Sequence, residues 1–113
     1  MNVKENISGT TAVLTLVGDF WKSGDWALYE KVKTLIDGGL RHIVVDFSDI
    51  NRINSIAIGV LVASLKTLRE VGGDLAVSGA NNDVQSVLKI VNLYAVIPIC
   101  DTVDEALAAL AAN

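Results

Sequence analysis

The sequence predicts a single α/β domain spanning residues 1–113, with a mixed, mostly parallel sheet of about five strands and helices packed on it, in the order β-β-α-β-α-β-α-β-α. Three observations carry this. Short apolar runs of strand length alternate with longer segments whose apolar residues recur every three or four positions. The glycine pairs Gly38-Gly39 and Gly72-Gly73 close two of those longer segments, as C-terminal glycines close helices. A chain of 113 residues, 51% of them hydrophobic, has the size and apolar content for one core.

The elements follow in order. Val3 to Ile7 reads as a short strand that Ser8-Gly9-Thr10 turns back, antiparallel, into Thr11 to Val17. Both faces of that second segment are largely apolar, which predicts a strand covered on both sides or central in its sheet. Gly18-Asp19 ends it, and the loop Phe20 to Gly24 carries two aromatics before Ser23 or Asp25 caps a helix with Leu28, Val32, Leu35 and Ile36 on its inner face. Leu40 to Phe47 is the next strand. The loop Ser48 to Asn54 leads into a helix opened by Ser55, whose buried stripe is Ile58, Leu61, Val62, Leu65 and Leu68.

Asp74 to Ser78 forms the fourth strand, after which an asparagine in Gly79-Ala80-Asn81-Asn82 caps a helix through Val84, Val87, Leu88 and Val91. Asn92 ends that helix. Val96 to Ile99 can form a last strand, at an edge because Pro98 cannot donate to a ladder. Thr102-Val103-Asp104-Glu105 has the form of a capping box before an alanine-rich helix over Ala106 to Ala112.

Composition narrows the function. A net charge of −4 with scattered Lys and Arg offers no basic patch, so nucleic acid is a poor partner. The one cysteine, Cys100, excludes an internal disulfide and a multi-cysteine metal site, and reads as a half-buried small hydrophobe. No apolar run has the length of a membrane span, and Met1 to Glu5 lacks the apolar core of a signal peptide, so a cytoplasmic protein without direct membrane insertion is expected. A nucleophilic serine needs a base. The one histidine, His42, begins the third strand at the far end of a parallel sheet from Ser55, and reads as a surface or edge residue. Neither a metal-ligand spacing nor a phosphate-binding glycine loop is present, so catalytic residues, metal and cofactor are all expected to be absent. Asp46, at the end of its strand, reads as structural, bonded to the following turn.

If the second, third and fourth strands are parallel, their loops leave from the carboxyl end of the sheet, where open α/β sheets bind ligands. The candidate partner-binding residues gather on that rim: Asp19, Phe20, Trp21, Asn54, Ser55, Ile56, Ile58 and Asn81. Trp21 suits a protein contact, whereas Trp26 begins a helix and is as readily a core residue. Ser55 stands where the first N–H groups of a helix lack internal partners, so its hydroxyl can cap them or carry a phosphate there.

The stretch Asp46-Phe47-Ser48-Asp49-Ile50, followed by Asn54-Ser55-Ile56-Ala57-Ile58-Gly59-Val60, resembles the bacterial STAS domain, the family of anti-sigma factor antagonists. Gly72-Gly73-Asp74-Leu75 is similar to the family's glycine pair before its fourth strand, and Gly18-Asp19 to the acidic residue after its second. The family's aspartate before the acceptor serine is Asn54 here, and its Ser/Thr-Gly after it is Ile56-Ala57. The resemblance implies a non-enzymatic regulatory module that binds an anti-sigma factor with serine kinase activity and is switched off when that kinase phosphorylates Ser55. A phosphatase is a further partner it implies, with the domain itself a monomer or weak homodimer. The alternative it leaves is a non-phosphorylated scaffold, or an accessory subunit of a signalling assembly or transporter.

Overall fold

The computed structural model describes residues 2–18 and 26–112. Among them the elements run β1 (Asn2–Ser8), β2 (Thr11–Val17), α1 (Ala27–Asp37), β3 (His42–Asp46), α2 (Ser55–Glu70), β4 (Asp74–Ser78), α3 (Asn82–Ile90), a 3₁₀ turn (Leu93–Ala95), β5 (Ile99–Cys100) and α4 (Val103–Ala111). The single five-stranded sheet has the order β1-β2-β3-β4-β5. Only β1–β2 is antiparallel; β2–β3, β3–β4 and β4–β5 are parallel. The predicted α/β architecture is therefore the observed one.

Two layers of helix sandwich the sheet unequally. On one face Leu14, Leu16, Ile43, Val45, Leu75 and Val77 meet α1, α2 and α3 in the main core. On the other, α4 places Ala106 and Leu110 against Val44 and Ala76 in a smaller cluster. Of the two placements expected for β2 it takes the second: it lies inside the sheet between β1 and β3, with one face buried and the other only partly covered. Ala12, Leu14 and Leu16 are buried, but Thr11, Val13, Thr15 and Val17 are only half-buried. The packing of α4 is against β3, β4 and β5, so this face of β2 lacks a full cover.

Local chemistry explains most boundaries. The β1–β2 register pairs Ser8 with Thr11, leaving Gly9-Thr10 as a two-residue loop, and Gly9 takes the φ of +62° that such a turn demands. Asn81 caps α3 by accepting from the Val84 amide at 2.8 Å. Asn92 adopts the left-handed conformation, φ 60°, just after α3. Thr102 accepts from the Glu105 amide at 3.1 Å and caps α4, which starts at Val103 rather than at Ala106.

Other expectations are corrected too. β3 is shorter than Leu40 to Phe47. Leu40 and Phe47 are buried just outside the strand: the Leu40 amide bonds back to the Leu35 carbonyl of α1 at 3.0 Å, while the Phe47 amide donates the closing ladder bond to the Ser78 carbonyl of β4 at 2.8 Å. The last strand is only Ile99–Cys100, because Val96 follows the 3₁₀ turn and Pro98 lacks an amide hydrogen. Its edge position is as expected. Val62, placed in a buried stripe by its spacing, is 44% exposed, and Val91, expected within the third helix, is its C-cap residue and 43% exposed. Trp26 is 44% exposed; it is the N-cap residue of α1, without a side-chain capping bond, and packs edge-on against Tyr29 at 5.6 Å. The capping expectation for Ser23 or Asp25 lies outside the described residues.

Candidate functional site

The parallel pairing of β2, β3 and β4 sends the loop Ser48 to Asn54 and the loop Gly79 to Asn81 out of the same end of the sheet. Of the predicted rim, Asn54, Ser55, Ile56, Ile58 and Asn81 are described. Asp19, Phe20 and Trp21 lie outside the described residues.

The base of the rim is built on Asp46, the last residue of β3. Its Oδ1 accepts from the Ser48 amide at 3.1 Å and from the Ser78 hydroxyl at 3.3 Å, and its Oδ2 from the Ser48 hydroxyl at 3.0 Å. One carboxylate thus ties the end of β3 to its own turn and to the neighbouring strand, the structural role expected of it. Above it, the amide of Ile50 donates to the Phe47 carbonyl at 2.9 Å. The side chains of Ile50 and Ile53 anchor the loop in the core.

Two asparagines arrange the upper rim. The side-chain carbonyl of Asn54 accepts from the amides of Ile56 at 3.1 Å and Ala57 at 3.2 Å. Asn54, not Ser55, is therefore the N-cap of α2. It satisfies two of the donors that a helix start leaves open. Ser55 becomes the first helical residue. It is exposed, and its hydroxyl has no hydrogen-bond partner among the described residues. Ile56 and Ile58 are half-buried beside it, and the first turn of α2 holds no acidic residue. Asn81 reaches across from the next loop and donates to the carbonyls of Asn51 at 2.9 Å and Ile50 at 3.3 Å. That bridge joins the two loops, and only the sequence order of the strands hinted at it.

His42 begins β3, at the opposite end of the sheet from Ser55. It stands in a central strand and is half-buried, rather than at an edge. Among the described residues no group of three or more His, Cys, Asp or Glu could hold a metal ion. None of the helices described is long and apolar enough to cross a membrane.

These features define a class of small α/β domain: an antiparallel hairpin feeds a parallel sheet, and an exposed serine opens the helix after the third strand. Residues 2–106 match the STAS domain family, and the chain belongs to it. Its sequence relatives include a candidate anti-sigma factor antagonist of Thermotoga neapolitana, 39% identical over 72 residues, which is 64% of this chain and 64% of that protein. The alignment thus spans just under two thirds of that relative. A crystal structure of a candidate anti-sigma factor antagonist from Thermotoga maritima matches with TM-score 0.87 and 26% identity, over 96% of this chain and 93% of that one. The anti-sigma factor antagonist SpoIIAA, in its unphosphorylated form, shares the fold with TM-score 0.81 over 99% of this chain and 98% of that chain, at 18% identity.

Proposed function

We propose that this domain is a partner-switching anti-sigma factor antagonist. In its unmodified state it binds an anti-sigma factor that is also a serine kinase, and phosphorylation of Ser55 ends the complex. The observation that supports this most directly is the division of labour at the head of α2. Because Asn54 supplies the cap, the Ser55 hydroxyl is exposed and, among the described residues, uncommitted.

The chemistry is a phosphoryl transfer from ATP bound to the partner. The Ser55 oxygen forms a bond to the γ-phosphorus, the bond to the β,γ-bridging oxygen breaks, ADP leaves, and the hydroxyl proton passes to a base on the kinase. The product carries about −1.5 to −2 charges at neutral pH. Within the domain that charge meets the positive end of the α2 dipole, with no acidic residue in the first turn to oppose it. The amides of Ile56 and Ala57 are already bonded to Asn54, so the helix start has little need to reorganise. Against a partner the same charge must be desolvated beside Ile56 and Ile58, and the complex is lost while the fold persists.

The test is a pair of variants. Ser55→Ala is expected to capture the partner kinase from host extract constitutively, and Ser55→Asp to lose it, with unchanged far-ultraviolet circular dichroism for both. Equal capture by the two variants, or wild-type protein recovered from its host without phosphate on Ser55 under any growth condition, would sink the switch in favour of a constitutive scaffold.

A further inference from the structure

The loop that carries Ser55 is held by a residue outside it, Asn81. Every polar atom of that side chain is engaged. Its oxygen accepts from the Val84 amide at 2.8 Å, while its nitrogen donates to Asn51 O at 2.9 Å and to Ile50 O at 3.3 Å. Its own carbonyl accepts from the Gln85 amide at 2.9 Å, and Gln85 Nε2 donates to the Ala80 carbonyl at 2.7 Å. The end of the β4–α3 loop is thus a fixed platform, and from it one amide group grips two consecutive carbonyls of the β3–α2 loop.

Those carbonyls matter because of where they lie. Ile50 and Ile53 are buried and fix the apolar side chains of the loop, but neither sets the orientation of the peptide groups between them. Asn51 is exposed and is followed by exposed Arg52, so its carbonyl would otherwise be free to turn toward water. Two residues, Arg52 and Ile53, separate Asn51 from Asn54, whose cap in turn sets the position of Ser55. A fork from a rigid platform to the middle of that loop is a direct constraint on how the hydroxyl is offered. Phosphoryl transfer is governed by such placement of the acceptor oxygen, since proximity and orientation supply a large share of the rate.

We infer that Asn81 is a positioning residue for Ser55: by gripping the Ile50 and Asn51 carbonyls it holds the β3–α2 loop in the conformation that the kinase phosphorylates. This rests on the proposed switch at Ser55. It also moves Asn81 from a direct partner contact to a residue that acts through the loop, because both ends of its amide are occupied within the domain.

The helix cap and the grip can be separated by substitution. Asn81→Asp and Asn81→Ser both keep an oxygen able to cap α3, and both lose the amide donors that reach the loop. Hydrogen exchange on the full chain reads the loop without any kinase. The amides of Ile50, Ile56 and Ala57 are expected to exchange roughly tenfold faster in both variants, the loss expected for about one net hydrogen bond, while the amides of β3 and β4 and the midpoint of thermal unfolding change little. Intact-mass measurement in host extract supplied with ATP reads the function, and the gain of one phosphate is expected to slow severalfold in both variants. Unchanged loop exchange, or faster exchange with an unchanged phosphorylation rate, overturns the inference. An effect confined to Asn81→Asp also overturns it, since that would be the added charge rather than the lost grip. Failure of the wild-type chain itself to gain phosphate on Ser55, with Ser55→Ala as control, would instead count against the switch.

Discussion

Gly79 closes directly over the carboxylate of Asp46: a Cβ at Gly79 would stand 2.7 Å from Asp46 Oδ1, with the Ser48 amide nitrogen and Cβ at 3.2 Å. Its backbone has a φ of +69°, so a side chain there is strained twice, by conformation and by contact. Gly9 has nearly the same backbone, φ +62°, with nothing within 4 Å of its added Cβ. The pair separates the two effects. Gly9→Ala is expected to cost about 1 kcal/mol, the conformational part alone. Gly79→Ala is expected to cost about 3 kcal/mol, because the Asp46 carboxylate must leave the bonds it makes to Ser48 and Ser78. Urea denaturation of both variants measures this, and equal losses would show that the Asp46 contact is easily relieved.

Asn54 makes a sharper prediction about the rim. Removing its side chain in Asn54→Ala leaves the amides of Ile56 and Ala57 without their acceptor, at an expected cost of about 1 kcal/mol. Asn54→Asp keeps the acceptor and adds a negative charge at the helix start, so its stability is expected to equal or exceed that of the parent. Thermal melts of the two variants decide whether the cap operates through this oxygen. A loss in Asn54→Asp as large as in Asn54→Ala would show that it does not.

On α2, Leu61 and Val62 are adjacent, and helical spacing assigned both to the buried stripe. Leu61 is 1% exposed and Val62 is 44% exposed. Leu61→Ala is therefore expected to cost about 2–4 kcal/mol, whereas Val62→Ala should stay within about 0.5 kcal/mol. Comparable losses at the two positions would mean that α2 is rotated relative to the sheet.

That contrast shows where the sequence stops being legible. The order of strands and helices followed from the alternation of apolar runs with helical spacing, and the parallel sheet followed from the order. Helix α2 was harder at one position, because Val62 is an apolar residue on an outward face otherwise made of Ser55, Gly59, Lys66, Arg69 and Glu70, and it stands next in sequence to buried Leu61. The caps were partly visible. Thr102 was found because it opens a capping box, and for α3 the sequence pointed to an asparagine without choosing between Asn81 and Asn82; likewise Asn54 and Ser55 are both good capping residues, and only backbone geometry shows that Asn54 is extended while Ser55 is already helical. The half-open face of β2 depends on how far α4 reaches, a tertiary quantity that the Thr-Ala-Val-Leu pattern does not encode. The Asn81 grip on Ile50 and Asn51 joins residues thirty and more positions apart through backbone carbonyls, which leave no trace in side-chain identity.

Cys100 gives a prediction in pH. It lies half-buried on β5 against the small core under α4. Burial pushes its thiol pKa up, and the carboxylates of Glu105 and Asp101 push it further the same way. All three causes disfavour the thiolate, which is the reactive form. At neutral pH the thiol is therefore expected to react with an aromatic disulfide reagent more slowly than a free cysteine does, with the midpoint of the rate profile at higher pH. Glu105→Gln and Asp101→Asn should each move that midpoint down toward the ordinary thiol value without abolishing the shift, because burial is the largest cause. For stability the sign runs the same way. A thiol whose folded pKa is raised contributes below its unfolded pKa, and the contribution fades as pH rises through the folded value. A midpoint at or below that of a free cysteine, or one indifferent to both substitutions, would contradict this account of the β5–α4 edge.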